Sequence, residues 1–113
     1  HEYNKDDDYP DFAAAVAEEV TANPANKGIL ICGSGIGIAI TANKIKGIRA
    51  GTAASAEQVK ASVNDENLNV LAISADYTNE DQAKEIVKTF IETRFSGAER
   101  HKRRINKIEE AGD

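Results

Sequence analysis

The sequence predicts an α/β fold with a parallel sheet and helices that alternate with its strands. Three short segments, at about residues 28–32, 48–53 and 69–74, have the β-branched and apolar composition of strands, and Arg49 is the one charged residue among them. Segments with helical periodicity separate and follow them, and this alternation is typical of βαβ units with right-handed crossovers. The 113 residues, of which 41% are hydrophobic, fit one domain covering 1–113.

The first two helices are predicted from capping residues and from residues that stop a helix. Asp11 is a reasonable N-cap for a helix that runs to about Ala22 and ends in a stretch rich in Asn and Gly. A second helix is predicted from near Ile36 to about Ile45, where lysines suit the helix dipole and Gly47 suits the C-cap.

The later helices carry the spacing of capping boxes. Ser55 is followed three residues later by Gln58, and Thr78 by Asp81, so helices are expected to begin at both places. The second of these has a strong apolar stripe. A last, basic helix with a frayed tail is expected over 98–113.

Charge and composition exclude several classes of protein. The net charge of −5 argues against a general nucleic-acid binder. No apolar run approaches the roughly 18 residues of a membrane span, so no membrane partner is expected. One cysteine cannot form an intramolecular disulfide, which favours a reducing, cytoplasmic compartment.

The stretch Gly33-Ser34-Gly35-Ile36-Gly37 joins the first strand to the second helix and is the most informative part of the sequence. Free backbone N–H groups at a helix N-terminus form an anion site. The spacing is not the G-x-G-x-x-G of dinucleotide sites, and no Lys-Ser/Thr pair marks a P-loop. The loop therefore favours a small anion, and the alternative is a tight turn without a ligand.

Cys32 ends the first strand at the rim of this loop. A thiolate is stabilised beside a helix N-terminus and can act there as a nucleophile or as a base. The alternative is a buried apolar cysteine, which is common. Ser34 is either a proton donor or a simple turn residue.

Arg100 and Arg104 lie four residues apart, on one face of the last helix, and two guanidinium groups on one face suit a phosphate. The alternative is a solvated basic face. His1 and His101 are the only histidines, which argues against a Ser-His-Asp triad or a His-rich metal site. The acidic run Asp6–Asp8 is interpreted as a solvated loop, so no metal is expected.

Several motifs together resemble the family of ribose-5-phosphate isomerase B and galactose-6-phosphate isomerase, over nearly the whole chain. The motifs that carry this resemblance are Asp8-Tyr9-Pro10, Gly28-Ile29-Leu30-Ile31-Cys32-Gly33-Ser34-Gly35-Ile36-Gly37, Ala42-Asn43-Lys44 with Gly47-Ile48-Arg49-Ala50, Asn69-Val70-Leu71-Ala72, and Arg100-His101 followed by Arg104.

The resemblance implies a Rossmann-like, three-layer α/β/α fold with a parallel sheet of about five strands in the complete family fold, of which this chain holds three. It implies a homodimer or tetramer with active sites between subunits. The implied reaction is aldose–ketose isomerisation of a sugar phosphate through an enediolate, without a metal or organic cofactor. Interconversion of ribose 5-phosphate and ribulose 5-phosphate is the default substrate pair.

The resemblance also assigns roles to residues. Cys32 would be the base that moves a proton between C1 and C2, and Ser34 would stand in for a proton-shuttling Thr. Backbone N–H groups of the glycine loop would hold the enediolate. The implied substrate-binding residues are Tyr9, Gly33, Gly35, Ile36, Gly37, Asn43, Arg100 and Arg104.

Two departures from the family pattern are expected to matter. Family members usually begin with a strand, helix and strand that precede the motifs found here, and this chain starts at His1 without them. The family's ring-opening His is replaced by Asp65, a carboxylate that can also act as a general base. The alternative to an active isomerase is a non-catalytic sugar-phosphate-binding relative or a structural subunit.

Overall fold

The computed structural model describes residues 8–112, which form a three-stranded parallel sheet with helices on both faces. The elements are α1 (Tyr9–Thr21), β1 (Gly28–Cys32), α2 (Ile36–Asn43), β2 (Ala50–Thr52), α3 (Ala56–Glu66), β3 (Val70–Ser74), α4 (Glu80–Glu92) and α5 (Glu99–Ala111). The strand order is β1-β3-β2, and Val70 pairs with Gly28 on one side and Ala50 on the other. The predicted parallel sheet is confirmed.

The two faces of β3 divide the core into two halves. Val70 and Ala72 pack with α1 and α2, whereas Leu71 and Ile73 pack with α3 and α4. All five residues of β3 are buried, as expected for a central strand covered on both faces. This packing confirms the three-layer α/β/α architecture.

Two predicted helix starts are wrong by one to three residues. The first helix is capped by Asp8 rather than Asp11, because Pro10 fits the first turn of a helix. The fourth is capped by Asn79 rather than Thr78, and the side chains of Asn79 and Gln82 form a reciprocal capping box. The cap at Ser55 is confirmed, since its side chain accepts a hydrogen bond from the Gln58 backbone N–H.

The last helix, α5, lies along the edge of the sheet where the strands begin. The backbone N–H of Ser96 donates to the carbonyl of Asn64 near the end of α3, at 3.1 Å. At its other end Glu109 pairs with Arg49, which directly precedes β2. We call this edge the amino edge, and the opposite one, where the strands end, the carboxyl edge. No helix in residues 8–112 has the length and apolar character that crossing a bilayer requires.

The connections after β1 and β3 diverge at the carboxyl edge, and we call the region between these two loops the crevice. The chain leaves β1 towards the face covered by α2, and it leaves β3 towards the face covered by α4. Neighbouring strands whose connections diverge in this way leave a gap between their loops, and open α/β sheets bind ligands in such gaps.

Candidate functional site

The crevice is bounded by the loop after β1 and the loop after β3, which are joined by three hydrogen bonds. The Ser74 hydroxyl donates to the Gly33 carbonyl at 2.7 Å, and the backbone N–H of Asp76 donates to the same oxygen at 3.1 Å. The backbone N–H of Ala75 donates to the Cys32 carbonyl at 2.8 Å. The two walls of the crevice are therefore fixed relative to each other.

The glycine loop has a backbone conformation that residues other than glycine rarely adopt. Gly35 is the N-cap of α2 with a φ of 76°, in the left-handed region, and no side chain caps this helix start. A Cβ at Gly35 would lie 3.1 Å from the Ser74 backbone nitrogen. The N–H of Ile36 donates to the Ser34 hydroxyl at 3.2 Å. Close approach of the loop to β3 thus orients the start of α2 towards the crevice.

Cys32 and Tyr9 flank the loop. Cys32 is a free, half-buried thiol at the last position of β1, where it packs against the edge of the core below α1 and α2. The Tyr9 ring covers the first turn of α2, since a Cβ at Gly37 would lie 2.6 Å from its hydroxyl oxygen. Both residues predicted for this region therefore lie beside the glycine loop.

Asp76 is a further residue of the crevice, and nothing in the sequence pointed to it. A Cβ at Gly33 would lie 2.9 Å from the Asp76 Oδ2 atom, so the carboxylate lies directly over the loop. Its position depends on the loop after β3, a tertiary feature that no local spacing reveals.

Four other candidate residues lie at the amino edge. Asn43 ends α2 and exchanges two hydrogen bonds with the backbone of Ala50, at 2.7 and 2.9 Å, so its amide is fully engaged there. Asp65 lies in the last turn of α3, and Arg100 and Arg104 lie on α5. The strands alone span about 13 Å between the two edges, at 3.3 Å per residue. Within one copy of the chain these residues do not reach Cys32, and the placement does not support substrate binding by Asn43 at the glycine loop.

Arg100 and Arg104 are exposed on α5. Within residues 8–112 neither guanidinium forms an ion pair or hydrogen bond with another side chain, whereas Lys102 pairs with Glu99 on the same helix. The two arginines are therefore available to an external anion.

Asp65 contacts two neighbours through one carboxylate oxygen. Its Oδ1 accepts from the Asn64 side chain at 2.8 Å and lies 3.6 Å from the Nε2 atom of His101. The other ring nitrogen of His101 is 2.6 Å from the Ser96 hydroxyl. Ser96, His101 and Asp65 thus lie next to one another because α5 docks on the end of α3, but the 3.6 Å separation is longer than a hydrogen bond and does not make a Ser-His-Asp triad. His1, Asp6 and Asp7 lie outside the described residues.

A cavity formed by the described residues lies at the amino edge, away from the glycine loop. It encloses about 530 Å³ between the start of β2, α3 and the end of α5. Its one arginine, Arg49, already donates to the carbonyls of Asn67 and Gly47 and pairs with Glu109. These contacts engage the Nε and NH1 atoms of Arg49, and Lys44 and Lys46 also line the cavity. No group of three or more Cys, His, Asp or Glu in the described part of the chain could hold a metal ion.

Comparison with known proteins now identifies the family. Residues 1–108 match the model of the Ribose/Galactose Isomerase family. The chain belongs to this family. The resemblance inferred from the motifs is confirmed.

Individual members of the isomerase family are similar over most of the chain. YwlF of Bacillus subtilis, named as a sugar phosphate isomerase, is 45% identical over 89% of this chain and 67% of its own length. Ribose-5-phosphate isomerase B of Mycobacterium tuberculosis is 37% identical over 96% of this chain and 67% of its own. The crystal structure of ribose-5-phosphate isomerase B from Mycoplasma genitalium with bound ribulose-5-phosphate is 38% identical, with a TM-score of 0.91, covering 98% of this chain and 73% of that one.

Proposed function

We propose that this chain is an isomerase of phosphorylated sugars, with ribose 5-phosphate and ribulose 5-phosphate as its substrate pair. The observation that carries the proposal is the free thiol of Cys32 at the carboxyl edge, at the end of the strand whose loop leads into α2, and the N-cap of α2 is a glycine without a side chain. Two findings on relatives support the substrate: the name of the Mycobacterium tuberculosis protein, and the ligand in the Mycoplasma genitalium structure.

In the proposed mechanism Cys32 acts as the base. Its thiolate takes the proton from C2 of the open-chain aldose, and the electron pair forms an enediolate whose oxygen receives hydrogen bonds from N–H groups of the glycine loop. The thiol then returns a proton to C1. Ser34 transfers the proton of O2 to O1, so that the aldehyde becomes a hydroxymethyl group and C2 becomes the ketone.

Asp65 is proposed to open the sugar ring before this step. Its Oδ2 has no partner among residues 8–112, and its side chain is 46% exposed. Oδ2 takes the proton of the anomeric hydroxyl, the C1–O4 bond breaks as the C1 carbonyl forms, and the same proton passes to O4. One carboxylate is enough for both proton transfers, because the proton that it takes from the anomeric hydroxyl is the one that it gives to O4.

The active site is proposed to be composite, formed at each contact of two copies of the chain. One copy supplies Cys32, Ser34 and Tyr9 from its carboxyl edge, and the other supplies Asp65, Arg100 and Arg104 from its amino edge. This assignment is supported by the separation of the two sets within one copy. The two guanidinium groups, which have no partner among residues 8–112, suit the phosphate of the substrate.

Hydrogen exchange tests the assignment of Cys32. In D2O the enzyme is expected to exchange a C1 hydrogen of ribulose 5-phosphate, which proton NMR follows, and Cys32→Ala is expected to abolish this exchange. The affinity for ribulose 5-phosphate, measured by calorimetry, should change little because the thiol is not a phosphate anchor. Exchange by Cys32→Ala at the wild-type rate would contradict the assignment, and binding without exchange by the wild type would indicate a non-catalytic relative.

Complementation tests the composite site. A Cys32→Ala variant is mixed with an Arg100→Ala/Arg104→Ala variant after both are dissociated and reassociated. In a symmetric dimer half of the mixed population is heterodimeric, and each heterodimer carries one intact site, so about a quarter of wild-type activity should return. A site contained within one copy would give no recovery.

A further inference from the structure

His101 is buried, although the helix that carries it is mostly exposed. Only 5% of its surface is accessible, and α5 holds no other buried residue. Its ring lies between the Ser96 hydroxyl, 2.6 Å from Nδ1, and the Asp65 carboxylate, 3.6 Å from Nε2. A buried imidazole with a different polar partner on each nitrogen has a fixed orientation.

The hydrogen bonds around Ser96 favour one tautomer of His101. The backbone N–H of Ala98 donates to the Ser96 hydroxyl oxygen at 3.2 Å, so this oxygen already serves as an acceptor. Its hydroxyl proton is then available for donation to Nδ1 of His101. In the tautomer that accepts this proton, Nε2 bears the hydrogen and directs it towards Asp65.

We infer that His101 is a positioning residue, which holds the carboxylate of Asp65 in the orientation for opening the sugar ring. This inference rests on the proposed function. The Nε2 hydrogen of His101 and the amide of Asn64 both face Oδ1, so that one oxygen is held and Oδ2 is left to meet the sugar. The 3.6 Å separation is longer than a hydrogen bond, and contacts of this kind often tighten when substrate binds.

The same contact could serve only to anchor α5 to α3. The backbone bond from Ser96 to the Asn64 carbonyl already joins these segments at 3.1 Å. An anchor would influence every step that depends on the arginines of α5, whereas a positioning residue influences ring opening alone. The two roles therefore differ in which step of the reaction they affect.

The chemistry of the two sugars separates these steps. Ribose 5-phosphate closes into a ring through O4 and must be opened before isomerisation. Ribulose 5-phosphate stays open, because its O5 carries the phosphate and no other hydroxyl can form a five- or six-membered ring with C2. Exchange of its C1 hydrogen with solvent needs Cys32 and the glycine loop but no ring opening.

Two substitutions of His101 form a matched pair. His101→Asn keeps a polar atom near the position of Nδ1 and loses the one that faces Asp65, whereas His101→Gln places an amide nitrogen near the position of Nε2. We expect His101→Asn to lower kcat for ribose 5-phosphate by roughly tenfold to a hundredfold, the cost of a misplaced catalytic group. Exchange in ribulose 5-phosphate should stay within about twofold of wild type, and His101→Gln should retain most of the turnover.

Two further variants complete the test. Ser96→Ala leaves the imidazole in place and removes the hydroxyl that fixes its tautomer, so a smaller loss confined to ribose 5-phosphate is expected even if His101→Asn fails to fold. In an Asp65→Asn background, His101→Asn should add no further loss, because the two residues act as one unit.

If the His101 and Ser96 variants lose turnover of ribose 5-phosphate and hydrogen exchange in ribulose 5-phosphate to the same extent, His101 serves only to anchor α5 to α3, and the inference is overturned. Unchanged turnover of ribose 5-phosphate would overturn it as well. Absence of both turnover and exchange in the wild-type enzyme would instead refute the proposed function, together with the inference that rests on it.

Discussion

Substitution of Gly35 by Ala tests the geometry of the glycine loop directly. The new methyl group would lie 3.1 Å from the backbone nitrogen of Ser74, 3.2 Å from the carbonyl carbon of Ile73 and 3.2 Å from a methyl group of Thr52. Two of these three atoms belong to the backbone of the central strand and its end, which cannot move aside as a flexible side chain could. The loop must therefore shift away from β3.

Gly97 provides a matched control elsewhere in the chain. Its φ of 71° is nearly the same as the 76° of Gly35, but a Cβ there meets no atom within 4 Å. Alanine in the left-handed region costs about 1–2 kcal/mol, partly offset by about 0.4–1 kcal/mol from the stiffer unfolded chain. Gly97→Ala should therefore destabilise the protein by about 0.5–1 kcal/mol.

Gly35→Ala has the same conformational cost as Gly97→Ala, and its new methyl group is also crowded against β3 and Thr52. Overpacking against a well-packed region costs about 1–3 kcal/mol, so a total of about 1.5–4 kcal/mol is expected. Urea denaturation followed by circular dichroism measures both free energies of unfolding, and equal m-values would allow a direct comparison. Equal losses for the two variants would refute the close approach of the loop to β3.

Three further predictions concern the arginines, Lys27 and the Tyr9 contact. Arg100→Ala and Arg104→Ala should each weaken the binding of ribulose 5-phosphate, measured by calorimetry, by about 1.5–3 kcal/mol. Unchanged binding would show that the two guanidinium groups do not contact the phosphate. Burial lowers the pKa of Lys27 below 10.5, so the unfolded chain binds its proton more tightly. Stability relative to Lys27→Met should therefore rise as the pH rises towards 10.5, as denaturant titrations at several pH values would show. Gly37→Ala should displace the Tyr9 ring, whose hydroxyl lies 2.6 Å from the added Cβ. Quenching of tyrosine fluorescence by iodide should increase, and a Tyr9→Ala background should abolish the increase.

The strands and the glycine loop could be predicted because their signals are local. An uncharged run before alternating glycines predicts a buried strand and a tight turn wherever it occurs. Helix starts were less certain, because Asp8 and Asp11, or Thr78 and Asn79, are equally good caps by residue type. Pro10 and the reciprocal bond of Gln82 decide between them in the structure.

The contacts of Asp76 and His101 could not be predicted, because each joins segments that are distant in sequence. Asp76 reaches Gly33 only after β3 pairs with β1, and His101 reaches Asp65 only after α5 docks on α3. A count of histidines in the sequence argued against a Ser-His-Asp triad, and the contact of His101 with Ser96 and Asp65 does not make one.

The distribution of chemistry over the two edges of the sheet explains why the proposed function needs two copies. The carboxyl edge carries the thiol and the glycine loop, and the amino edge carries Asp65 and the free arginines. A two-fold axis that brings the carboxyl edge of one copy against the amino edge of the other creates two identical sites from one contact. Each copy then contributes the thiol and glycine loop to one site, and Asp65 and the two arginines to the other. A variant defective in one half would be rescued by a partner defective only in the other.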